Sequence, residues 1–260
     1  MRRHWLRFFF ALSTVVGLAA AQSTPTGDAQ AVSLAAQSVA ALIRGMPVAD
    51  VTLNGTVTRI AGSDQQSGTV TLLAKGFSES RVDLNLSGGF RSEVRNSLSG
   101  FNQGNWIGID GVAHAISLHN CFTDAGWFFP ALGTLAAVAG NPKVVFSYVG
   151  LENSQQTPLQ HIQAYTVSAS LPEAQQLSTM DFYLDAKTLL PSIIAFDEHP
   201  DNDQTVDIAV AVAFSDYRNV NGAMIPFHIQ RYVYNGLTLD IQLASAGINS
   251  GIPDSQFKLQ

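Results

Sequence analysis

VDIAVAVAFSDYRNVNGAMIPFHIQRYVYNGLTLDIQLASA, residues 206–246, is the stretch that decides the fold class. Three apolar-rich runs are joined by Asn221-Gly222 and Asn235-Gly236. A two-residue type I′ turn needs positive φ at both positions, which Asn and Gly tolerate, so Asn-Gly between such runs signals a hairpin. The stretch reads as a three-stranded antiparallel meander.

Working outward, the same rhythm covers most of the chain. Runs at 180–184 and 192–198 flank a turn at 185–188, and further runs lie at 143–152 and 160–170, with a short helical turn at 172–177. Upstream, Asp110-Gly111 joins 105–109 to 112–118, and runs at 50–60, 68–75, 81–86 and 90–94 precede it. They recur about every 10 to 15 residues, the spacing of a meander and not of strand-helix-strand units. The expected fold is mainly β (α+β): a strongly curved antiparallel sheet or half-open β-barrel of about 11 strands, from eleven to thirteen runs in all.

Two segments break the pattern. From Asp28, a plausible N-cap, Val32, Ala35 or Ala36, Val39, Leu42 and Ile43 recur at helical spacing until Gly45 and Pro47 stop them. Between Cys121 and Gly140, Trp127, Phe128, Phe129, Leu132, Leu135 and Val138 predict a second helix, capped by Asp124 with Pro130 in its first turn. Being apolar almost all round, this helix must be covered on both sides or face a cavity. The tail after Ile248, with Pro253 and Phe257, is expected to dock as a last edge.

The amino terminus carries an address. Arg2, Arg3 and Arg7 precede an apolar stretch at 8–21 too short to span a bilayer, and Ala19-Ala20-Ala21 is a small-residue cleavage pattern. Residues 1–21 read as a signal peptide cleaved between Ala21 and Gln22, residues 22–27 as a flexible leader, and 28–260 as one β domain that is periplasmic or secreted. Cleavage removes three arginines, taking the formal charge from -6 to -9. So acidic a chain lacks the footprint of a nucleic-acid binder and any basic patch for anionic lipid headgroups. Cys121 stands alone, so no intrachain disulfide forms and stability must come from core burial. Charged residues are only 13% against 46% hydrophobic, which suits a very large core or an apolar ligand surface.

Catalytic signals are sparse. His114, His119 and Cys121 could serve an enzyme or a zinc site, but their spacing matches no metal pattern. The acidic stretch 197–203 lacks the central Gly and terminal Glu of a calcium loop and reads as a solvated hairpin loop. Gly-x-Ser-x-Gly and phosphate-cradling glycine motifs are absent. No catalytic residue, metal or cofactor is therefore expected. The aromatic and apolar group of Trp106, Trp127, Phe128, Phe129, Leu132, Leu135, Phe146 and Tyr148 reads either as simple core or as the lining of an apolar cavity beneath a lid.

Several short stretches resemble the LolA/LolB-like lipoprotein-carrier superfamily. They are the Asp110-Gly111 hairpin ahead of the lid, Tyr183-Leu184-Asp185-Ala186-Lys187-Thr188-Leu189-Leu190-Pro191, Asp216-Tyr217-Arg218-Asn219-Val220-Asn221-Gly222 leading to Ile225-Pro226-Phe227, and Gly247-Ile248-Asn249 ahead of Ile252-Pro253-Asp254-Ser255-Gln256-Phe257. The resemblance implies a half-open barrel that shelters acyl chains beneath helices, without a cofactor. It departs from the carriers proper in two ways. Arg81, nearest to the arginine that ties their lid, lacks the surrounding motif, and no lipidation cysteine follows the leader. The expected function is a non-catalytic, monomeric binding protein for a lipid, a lipoprotein acyl chain or another apolar ligand. An enzyme using His114, His119 and Cys121, with or without a metal, and an envelope-assembly module that binds a protein partner are the alternatives.

Overall fold

A computed structural model describes residues 27–154 and 157–259. The expected signal peptide, its cleavage after Ala21 and the leader up to residue 26 lie outside the described residues.

Thirteen strands form one antiparallel sheet. They are β1 (Asp50–Ala61), β2 (Asp64–Lys75), β3 (Glu79–Leu86), β4 (Gly89–Asn96), β5 (Gln103–Ile107), β6 (Ala113–Ala115), β7 (Val144–Ser154), β8 (Thr157–Thr166), β9 (Met180–Asp185), β10 (Pro191–Glu198), β11 (Ile208–Val220), β12 (Ala223–Val233) and β13 (Gly236–Ile248). Their spatial order is β6-β5-β4-β3-β2-β1-β13-β12-β11-β10-β9-β8-β7, with β6 and β7 at the edges, and Gly27 makes a single parallel bridge to Phe146 of β7. The sheet is curved and unclosed, with thirteen strands in place of the expected eleven or so. The shortest is β6, which ends at Ala115 because the chain then turns into a 3-10 segment at Leu118–Cys121.

The closing meander forms as its turns dictate, with one shift. Asn221 and Gly222, at φ 49 and 101, make the two-residue turn between β11 and β12. At the second turn the loop residues are Tyr234 and Asn235, at φ 47 and 64, and Gly236 already pairs with Val233. A register irregularity at Arg231/Tyr232 displaces the turn by one position, and Tyr234 is held there by its hydroxyl donating to the Asp207 carbonyl at 2.8 Å.

Helix α1 (Ala29–Ile43) begins where Asp28 caps it, the carboxylate accepting from the amides of Gln30 (2.7 Å) and Ala31 (3.2 Å). It ends at Arg44, in the left-handed conformation. Its buried face is Ala31, Leu34, Ala35, Ser38 and Leu42, with Val32, Val39 and Ile43 half-buried beside them, so the helix is turned slightly from the expected stripe. Small residues on that face let it lie close to β7, β8 and β12.

The mid-chain helix is much shorter than the pattern predicts. Only α2 (Leu132–Ala136) is α-helical, followed by a 3-10 turn at Ala137–Ala139. Ala131, at φ 46, breaks the backbone before it. Asp124 caps this segment at a distance, accepting from the amides of Gly126 (2.8 Å) and Thr134 (2.7 Å) and from the Thr134 hydroxyl (3.1 Å). The third helix, α3 (Ala174–Ser178), packs on β8.

One large apolar core lies between the concave face of the sheet, α1 and the mid-chain segment. A satellite cluster forms on the other face, where Ile252 and Phe257 of the tail cover Leu73 of β2 and Val94 of β4. The tail therefore docks on a sheet face and adds no edge strand. Asn96 fixes it by donating to the Phe257 carbonyl at 2.6 Å. Asp50 fixes its start, accepting from the amides of Ser250, Gly251 and Ile252.

Candidate functional site

The open side of the curved sheet is crossed by the segment that follows β6. Asn120 and His199 exchange two hydrogen bonds at 2.8 Å, Asn120 Nδ2 donating to the His199 carbonyl and the His199 amide to Asn120 Oδ1. Ser117 donates to the carbonyl of Asp201 at 3.0 Å and to its carboxylate at 2.8 Å. His119 places a ring nitrogen 3.0 Å from the Pro200 carbonyl. The acidic loop after β10 is thus partly exposed, but its first residue, His199, is 3% exposed and serves as an anchor.

Behind this crossing lies a cavity of about 260 Å³ on the concave face. Val82 and Leu84 of β3, Ile107 of β5, Leu239 of β13 and Trp127 give it apolar walls, and Trp106 stands at its rim. Alternation along each strand also points charged groups into it: Arg91 and Glu93 of β4, Glu198 of β10 and Arg231 of β12. Arg231 Nη2 donates to Glu198 Oε2 at 2.8 Å, and Arg95 Nε to Glu93 Oε1 at 2.8 Å. Burial opposes the charge of Arg95, yet the carboxylates of Glu93 and Glu198 hold its guanidinium above the ordinary value.

On the outer side of the crossing is a second depression, of about 510 Å³, lined by Phe101, Leu118, Phe122, Leu171 and Leu177. Phe101 is 55% and Leu118 60% exposed. A third crevice, lined in part by Phe129 and Leu132, has only about 20 Å³. That is room for a water molecule and no more than that.

The eight residues singled out in the sequence fall into different surroundings. Trp106 and Trp127 line the concave cavity. Phe128, Leu135 and Phe146 are fully packed in the core, at 0%, 0% and 1% exposure. Phe129 and Leu132 are buried beside the small crevice, and Tyr148 is half-buried with its hydroxyl donating to Gln160 at 2.9 Å. The residues that give the cavity its charge, Arg91, Glu93, Glu198 and Arg231, were not singled out in the sequence. No local motif marks them, because they lie on strands that do not pair and only the curvature of the sheet brings them together.

His119 and Cys121 both line the outer depression, but His114 lies apart from them. His114 stacks on Trp106 with ring centroids 4.2 Å apart, and His119 faces His199 edge-on at 5.8 Å. The Cys121 thiol is buried and pushed up by that burial, the reverse of an activated nucleophile. Among the described residues no group of three or more His, Cys, Asp or Glu side chains is placed to hold a metal ion.

The fold has known counterparts. A DUF1329 family protein from Desulfovibrio piger superposes with a TM-score of 0.58 at 13% identity, over 92% of this chain and 100% of that one. A putative outer membrane lipoprotein-sorting protein domain from Vibrio parahaemolyticus gives 0.54 at 10%, over 88% and 96%. A LolA superfamily protein from Nitrosomonas europaea gives 0.50 at 12%, over 88% and 97%. The chain therefore has a LolA-like fold. No family model and no curated protein matches its sequence. No helix among the described residues is long and apolar enough to cross a membrane.

Proposed function

We propose that this chain is an exported, non-catalytic binding protein of the cell envelope that shelters one apolar chain, of a lipid or of an acylated protein, in the concave cavity. The observation that carries the reading is the cavity itself, in which an apolar wall of Val82, Leu84, Ile107, Leu239 and two tryptophans faces four charged side chains, a division that suits an amphiphile. The LolA-like fold and the leader-like sequence at 1–21 support the compartment. Each buried methylene contributes about 0.8 kcal/mol, so a chain of about ten supplies roughly 8 kcal/mol before the costs of association.

Size limits the cargo. At about 260 Å³ the cavity falls just below the ~300–1,000 Å³ of small-molecule sites, so it takes one chain and not several unless the crossing segment moves. The test is titration with a fluorescent fatty acid. Saturable uptake is expected, and Leu239→Asn in the cavity wall should weaken it at least severalfold. Leu118→Asn, in the outer depression, should leave it unchanged. Absence of saturable uptake overturns the reading, and sensitivity to Leu118→Asn alone moves the site to the outer depression.

A further inference from the structure

We infer that the concave cavity selects an amphiphile with an anionic head, a carboxylate or a phosphate monoester, and that Arg91 reads that head. The inference rests on the binding function proposed above and adds the head group to it.

The observation is a guanidinium left over from the pairing. Arg91, Arg95 and Arg231 share this side of the sheet with the carboxylates of Glu93, Glu198 and, in the adjoining recess, Asp201. The carboxylates are taken: Glu93 by Arg95 at 2.8 Å, and Glu198 by Arg231 at 2.8 Å with Arg95 at 4.0 Å. Arg91 has no carboxylate within ion-pair distance among the described residues, and its buried Nε bonds to nothing. Asp201 lies at the adjoining recess with Glu93 and Glu198, where its backbone and carboxylate accept from Ser117.

A buried guanidinium donor without a partner is costly, and a ligand oxygen would satisfy it. Arg91 pairs across the strands with Leu84, which lies beside Val82 in the same wall. An anionic head held by Arg91 therefore leaves its chain against Val82, Leu84 and Leu239, toward Trp127. A neutral head of the same chain length gains the same apolar contacts and misses the charge-assisted bond. Planar guanidinium geometry suits both carboxylate and phosphate oxygens, so chemistry alone does not separate the two sources.

The experiment is calorimetric titration of the whole protein with dodecanoate, dodecyl phosphate and dodecanol at mildly alkaline pH, on the wild type and on Arg91→Gln. Dodecanoate or dodecyl phosphate should bind roughly 10- to 100-fold more tightly than dodecanol, the range expected for a hydrogen bond to a charged group. Whichever of the two is tighter names the source. Arg91→Gln should remove most of the preference, lowering affinity for dodecanoate and dodecyl phosphate far more than for dodecanol, and Arg91→Lys should retain part of it. Equal binding of all three by the wild type overturns the head-group assignment and leaves the apolar site standing. Binding of none overturns both. The wild-type comparison suffices even where a variant folds poorly.

Discussion

Arg95 on β4 and Glu198 on β10 meet across the concave face, Nη2 to Oε1 at 4.0 Å, although six strands (β3, β2, β1, β13, β12 and β11) stand between theirs in the sheet. No backbone pairing joins β4 to β10. The curvature brings them together, and the side chains span what the backbone leaves open. Arg95 also donates to the Asn120 carbonyl at 2.9 Å, so the same guanidinium holds the crossing segment.

Glu198→Gln should therefore destabilise the fold. Gln keeps the shape but leaves the buried Arg95 with Glu93 alone and releases Arg231. A loss of about 2 kcal/mol is expected, less than for a buried charge stripped of every partner. Urea denaturation measures it, and an unchanged midpoint would show that the bridge across the face contributes nothing.

Core and cavity positions should separate under substitution. Phe128 is 0% exposed within the main core, so Phe128→Ala should cost about 3–5 kcal/mol through lost contacts and the void left behind. Leu239 is half-buried, and Leu239→Asn should cost only about 1–2 kcal/mol. Equal losses at the two positions would mean that the cavity wall is as tightly packed as the core.

Asp50 makes stability depend on acid. Burial works against its carboxylate, but the hydroxyl and amide of Ser250 and the amides of Gly251 and Ile252 outweigh it and hold the carboxyl below its ordinary value. A depressed carboxylate adds stability above its unfolded pKa of about 3.9, and that stability is lost as pH falls through the folded value. Asp50→Asn should cost about 1–3 kcal/mol at neutral pH, with the gap to wild type closing in acid. Urea midpoints at the two pH values decide it; a constant gap would sink the linkage.

Cys121 should be inert in the native protein. Burial raises its thiol, Arg95 opposes that and Glu93 adds to it. Iodoacetamide should modify Cys121 at least about tenfold more slowly than free cysteine, with the rate recovering on denaturation. Rapid native modification would revive the nucleophile reading.

Much of this fold is legible in the residue order because turn chemistry is local. Asn221-Gly222 and the Asp185 turn, whose carboxylate accepts from the amides of Lys187 and Thr188, specify themselves within a few residues. Asp28 likewise announces α1. The lid helix misled, since the apolar spacing of Trp127 to Val138 is the same in a helix as in a chain of packed turns. What decides between them is Ala131 in a left-handed conformation and Asp124 reaching ten residues ahead to Thr134. The second hairpin turn slipped by one residue because Thr238 of β13 bulges out of the pairing with β12, which no local residue signal announces. The charged part of the site was illegible for a stronger reason: Arg91, Glu198 and Arg231 are neighbours only after three separate strands curve toward one another.

The order of the strands also carries a kinetic consequence. Every pairing in the sheet joins strands consecutive in sequence except β1 with β13, which joins the two ends of the chain. Two ribbons, β1 to β6 and β7 to β13, can each zip up by local steps, and only the β1–β13 seam must close a loop of nearly the whole length. In refolding followed by pulsed hydrogen exchange, amides such as Val57 and Ile241, partners across that seam, should become protected last. Folding speed is then set at one zipper line, and substitutions there should slow it more than equally destabilising ones in either ribbon.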